Sequence, residues 1–162
     1  FSATDGSAAI KIGGTTQSHV TVTAPADTAE NVLFQATLKG GVLGPNDTVR
    51  VSYLGSCTNS ANSKTIRAYF GGSNIATQAL TTAAAFKMQT QFSNRNSQSA
   101  QVMAGASSGL STGPNGTSSV AYTVLAINTL QDQVLSITGQ KASGGEMLTI
   151  ESVIVEIIRA GQ

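Results

Sequence analysis

The chain has 162 residues, enough for one domain with a core of its own, and its single cysteine leaves no internal disulfide to form. Nine Lys and Arg against eight Asp and Glu give a net charge of +1, scattered with no basic stripe for a phosphate backbone, so nucleic acid is not an expected partner. The apolar runs are short, and Glu156 and Arg159 interrupt "ESVIVEIIRA", which excludes a membrane span of the helical kind.

Only 10% of the residues are charged, against about 25% in ordinary soluble domains. The surface must be built from Ser, Thr, Asn, Gln and Gly, a composition that suits an extracellular or virion protein. The opening "FSATDGSAAI" has neither the basic flank nor the apolar core of a signal peptide.

Strands dominate the rest. "VTVT" at 20 to 23 comes first, then "NVLFQATLKG" at 31 to 40, with Val32, Phe34, Ala36 and Leu38 on one face and Gln35 and Thr37 on the other. "TVRVSYL" turns Val49, Val51 and Tyr53 inward, and "TIRAYF" opposes Ile66, Ala68 and Phe70 to Arg67 and Tyr69. "FKMQTQF" at 86 to 92 alternates in the same way. A weaker signal at 97 to 104 and stronger ones at 119 to 128, 134 to 140 and 147 to 158 bring the count to eight or nine. "ATQALTTAAAFKM" is the one stretch with helix-forming alanines, and Thr82 with the adjoining strand makes it a turn; "GSNIATQ" also reads as a turn. Even spacing of strands without helical repeats predicts an all-β, antiparallel sandwich. Residues 1–18 form an extended segment or arm and 19–162 the domain.

"GPND" at 44 to 47 and "GPNG" at 113 to 116 are turns, since Pro fixes one torsion and Asn tolerates the left-handed region. "NDT" and "NGT" within them match the N-glycosylation acceptor pattern, which matters in a eukaryotic secretory setting.

Catalysis finds no constellation. Cys57 would need a base and an orienting group, and the lone His19 lies far off in sequence without a nucleophile signature. Cys57, placed after a strand ending at Leu54 and Gly55, reads as a small, partly buried hydrophobe. One Cys and one His cannot close a zinc site, and Asp5, Asp27, Glu30, Asp47, Asp132, Glu146, Glu151 and Glu156 are too dispersed for a calcium loop. No catalytic, cofactor or metal residues are assigned, and the chain is expected to be no enzyme. In the last strand Glu151 shares a face with Val153, Val155 and Ile157, while Glu156 shares the other with Ile150, Ile154 and Ile158. Two mostly apolar faces predict a second copy of the chain as cover.

"TNSANSKTIRAYFGG", from Thr58 to Gly72, "SNRN" at 93 to 96 and the terminal "ITGQKASGGEMLTIESVIVEII" together resemble segments that recur, in this order, in small structural proteins of tailed bacteriophages. The resemblance spans about Val32 to Ile158 and departs at Cys57, where such proteins often carry an aromatic residue. It implies a jelly-roll sandwich on the virion, a homotrimer with other virion proteins as partners, set in a tail fibre or tail tip that attaches to a host receptor or glycan. The alternative placement is a capsid decoration, with the N-terminal segment as its arm. Asn59, Asn62 and Lys64 would shape the connector, Phe70 would enter the core, and Gly71 and Gly72 would turn the chain. Arg95 would bond to carbonyls or to a neighbouring subunit at a strand end.

A carbohydrate-binding module is the reading from a different class, because jelly rolls host many functions. Trp is absent, and Tyr53, Tyr69 and Tyr122 fall within strands; Tyr69, facing away from Phe70, is the best single platform.

Overall fold

The computed structural model describes residues 15–18, 22–103 and 122–160. Eleven strands are present among them: β1 (Thr15–Ser18), β2 (Val22–Thr23), β3 (Asn31–Leu38), β4 (Thr48–Cys57), β5 (Lys64–Phe70), β6 (Ser73–Leu80), β7 (Ala85–Asn94), β8 (Gln101–Met103), β9 (Thr123–Leu125), β10 (Gln133–Lys141) and β11 (Leu148–Ile158). They form two antiparallel sheets, ordered β1-β11-β4-β7-β8-β9, with β2 also on β11, and β3-β10-β5-β6. The chain passes from one sheet to the other at β2–β3, β3–β4, β4–β5, β6–β7, β9–β10 and β10–β11. The strands β2-β11-β4-β7 therefore face β3-β10-β5-β6 in the crossing pattern of a jelly roll.

Alternating side chains close the space between the sheets. Val49, Val51 and Tyr53 of β4 and Phe92 of β7 meet Ile66, Ala68 and Phe70 of β5, all at most 2% exposed. Phe70 and Phe92 stack across the layers with ring centroids 4.5 Å apart. The close approach of β11 and β7 to β4 depends on Gly55, where a Cβ would stand 2.1 Å from the Thr149 carbonyl oxygen and 2.3 Å from the Phe86 ring.

Several sequence expectations are corrected by this arrangement. The count rises from eight or nine to eleven through β1, which pairs with β11, and through "SNIATQAL", which is β6, an edge strand that buries only Ile75 and Ala76 and so shows little apolar alternation. Strand β4 runs through Cys57 instead of ending at Leu54 and Gly55. A register shift between Ile137 and Thr138 turns Leu33 inward and leaves Val32 54% exposed, reversing the face expected for Val32. Of the strand expected at 119 to 128, Thr123–Leu125 is formed and 119–121 lie outside the described residues.

The last strand also departs from its expected pattern. Another register shift, between Ile150 and Ser152, puts Ile150 on the inner side with Val153, Val155 and Ile157. The outer side keeps only Ile154, half-buried, and Ile158, with Ser152 and Glu156 between and beside them. The chain's own β1 pairs along this strand, Gln17 opposite Ile154. The second apolar face that called for another copy of the chain is thus largely absent, and the homotrimer loses its physical motive.

Candidate functional site

Cys57 is 4% exposed, and its thiol donates to the Ala83 carbonyl at 3.1 Å. Burial pushes the thiol up, against the pull of the Lys64 charge, so it stays protonated and unreactive. His19 lies outside the described residues. Among the described residues no group of three or more His, Cys, Asp or Glu is placed to hold a metal ion.

The residues of the phage-like runs have local tasks. Lys64 is fully buried and donates to the Thr58 carbonyl at 2.9 Å and to Ser60 Oγ at 3.0 Å. Ser60 and Asn62 both donate to Glu146, which fastens this connector to the 142–147 turn, and Asn59 lies within the same connector. Phe70 is in the core, while Gly71 and Gly72 take φ of 53° and 78°, values that suit glycine in the turn to β6. Asn94 is buried, donating to the Gly44 carbonyl at 2.7 Å and accepting from Gln101 at 3.0 Å. The Arg95 guanidinium lies over the Tyr122 ring, 5.4 Å from its centroid, and bonds to no carbonyl among the described residues.

The outer side of the four-stranded sheet carries a polar cluster gathered from all four of its strands. Strand pairing sets Gln35, Ser136, Tyr69 and Asn74 in one rung across β3, β10, β5 and β6. Thr138, Arg67 and Thr77 form the next rung, and Gln140 and Thr65 lie beyond it. With strands about 4.8 Å apart, the first rung spans about 14 Å and the second about 10 Å.

Glu30, in the turn just before β3, reaches into this face. Its Oε1 accepts from the Tyr69 hydroxyl at 2.9 Å and from Thr138 Oγ1 at 2.5 Å, while its Oε2 accepts from Arg67 at 2.9 Å. Arg67 donates also to Gln140 Oε1 at 3.1 Å. Burial alone would raise the Glu30 carboxyl, but the bonds from Thr138 and Tyr69 and the charge of Arg67 outweigh it and hold the group below its ordinary value. The Tyr69 phenol is pushed up, by burial and by its bond to the carboxylate. A charged acceptor shared by three donors fixes the rotamers of Tyr69 and Arg67 at the surface.

Tyr53, by contrast, is 2% exposed and donates to Met88 Sδ, so it can offer no platform. Sequence reasoning found Tyr69 from its position opposite Phe70. It missed Glu30 and Arg67 as a pair, since the residues that converge on Glu30 stand 37 to 108 positions away along the chain.

No known family model matches the chain, and no curated protein matches it. Among solved structures it is similar to the CBM36-1 domain of a multidomain xylanase from the hindgut metagenome of Trinervitermes trinervoides, at 10% identity and a TM-score of 0.41. The match covers 91% of this chain and 79% of that one. That neighbour is a domain of a xylanase and no virion component, and the expected kinship with phage structural proteins is corrected accordingly. Tail fibre, tail tip and capsid decoration are set aside, with the trimer, the virion partners and the virion location that they carried. The physical reason is on view in the quoted runs: "TNSAN", "FGG" and "SNRN" are connector, turn and capping residues that a sandwich needs whatever its lineage.

Proposed function

We propose that this domain is a noncatalytic glycan-binding module whose ligand lies on the outer side of the β3-β10-β5-β6 sheet. The observation that carries this reading is the Glu30 carboxylate holding Tyr69, Thr138 and Arg67 in place among amide and hydroxyl side chains. A sugar presents hydroxyls that both donate and accept, together with an apolar C–H side. Tyr69 supplies an amphipathic ring, Arg67 supplies fixed donors, and Gln35, Asn74, Ser136 and Gln140 supply groups of both kinds. Because Glu30 has already ordered the ring and the guanidinium, binding need not freeze them again.

The test is a glycan array probed with the tagged domain, followed by calorimetric titration of the best glycan against wild type, Tyr69→Ala and Arg67→Ala. Each substitution should weaken binding at least tenfold, about 1.4 kcal/mol. Absence of any glycan bound above background, or unchanged affinity in both folded variants, would defeat the proposal.

A further inference from the structure

Lys141 ends β10 on the inner side of the sandwich and is 2% exposed. Among the described residues no carboxylate oxygen lies within 4 Å of its ammonium. Its three protons go to main-chain carbonyls instead: Pro25 at 2.6 Å, Glu146 at 2.8 Å and Gly144 at 3.4 Å. Its partner in register is Lys64, also buried, which donates to the Thr58 carbonyl. Two like charges side by side at a buried sheet position are costly to keep. The Glu146 carboxylate, 3.8 Å from Lys64 and lowered by its bond from Ser60 and by both lysine charges, offsets part of that cost.

What the arrangement secures is the 24–30 loop. That loop is pinned at its start by Ala24 donating to the Leu148 carbonyl and by the Pro25 carbonyl on Lys141. Asp27 then braces it, accepting from the Ala29 amide at 3.1 Å and from Asn31 Nδ2 at 2.7 Å. Gln140, next to Lys141 but pointing to the outer side, donates to the Thr28 carbonyl at 3.4 Å. The loop ends on Glu30.

We infer that Lys141 is a positioning residue for the outer sheet face: its ammonium, seated among three carbonyls inside the sandwich, sets the loop that delivers Glu30 to Tyr69, Thr138 and Arg67. Glycan binding by that face is the preceding proposal, whereas the seating of Glu30 can be read without any ligand. The experiment follows the Glu30 side-chain carboxyl by carbon-13 NMR through an acid titration, in wild type and in Lys141→Met, which keeps the apolar stem and loses the ammonium. Glu30 should move upward, toward the ordinary glutamate value of about 4.3. Asp132, whose carboxyl is held low on a different loop by the Lys39 side chain and the Gly40 amide, should stay where it is. A general loosening would not single out one carboxyl in this way. An unchanged Glu30 midpoint in the folded variant would overturn the inference. Should the methionine variant fail to fold, Lys141→Gln, which retains an amide donor, is read in the same manner. The wild type provides a further check, since a caged ammonium must give a slowly exchanging nitrogen-15 resonance for Lys141, and its absence would overturn the inference too.

Discussion

On the larger sheet, outward polar groups bond across strand pairs: Arg50 with Glu156 at 3.5 Å, Thr48 with Ser93 at 2.6 Å, Ser56 with Glu151 at 2.8 Å. On the smaller sheet, a single carboxylate gathers Tyr69, Thr138 and Arg67 from two strands while itself coming from a third segment. Contacts of the first kind, between neighbouring strands at a solvated face, are individually worth little. Convergence of the second kind makes several side chains depend on one, which is how a protein holds groups still for a partner. The contrast separates a solvated surface from one organised for recognition, although both are built from strands of similar composition.

Removing the acceptor should break that contrast most visibly. Glu30→Ala leaves three donors without their shared partner and is expected to cost about 1–3 kcal/mol in urea unfolding. Arg50→Ala on the larger sheet, which removes the ion pair to Glu156, should cost about 0–1 kcal/mol. Equal losses in the two variants would mean that the Glu30 cluster is no more than another surface contact.

A smaller effect is expected from Tyr69→Phe, which deletes the hydroxyl bond to Glu30 and keeps the ring. A loss of about 1 kcal/mol is expected. Glycan affinity in this variant sharpens the comparison further: retained binding assigns the contact to the ring, and lost binding assigns it to the hydroxyl and its tie to Glu30.

The smallest change is in acid. Because the folded-state Glu30 carboxyl lies below its ordinary value, its contribution is complete above about pH 4.3 and is lost as pH falls through the lower folded value. Glu30→Gln should therefore flatten part of the fall in stability on the acid side of pH 4.3, measured by urea midpoints at successive pH values. An acid slope identical to wild type would mean that the three donors do not favour the ionised form.

The two sheets were also unequally legible in the sequence. Strands with one strictly apolar side, such as β5 with Ile66, Ala68 and Phe70, declare both their extent and their facing. Strand β6 hides, since at a sheet edge Asn74, Thr77 and Ala79 remain at the surface, and a register shift beside Tyr69 spoils what alternation is left. The shift at Ile150 and Ser152 misled more seriously, because one added residue exchanges the faces and made a covered strand look doubly apolar. For the candidate site the pattern revealed Tyr69 and its outward direction. It could not reveal Glu30, whose importance exists only after β10 has come to lie between β3 and β5.

That insertion has a consequence for how the protein acquires its structure. Strands β3 and β5 are never neighbours; each pairs with β10, which begins only at Gln133. On the larger sheet β4 likewise waits for β11 along one side. During synthesis, when the β5–β6 hairpin is already complete, two sheets still stand with open central gaps, and the edges around those gaps are unpaired. Such long-range closure is slow, and unpaired edges invite association with other chains. A polypeptide that stops short of residue 133 should therefore aggregate instead of folding to a smaller domain, and the last two long strands act as the keystones that lock both sheets at once.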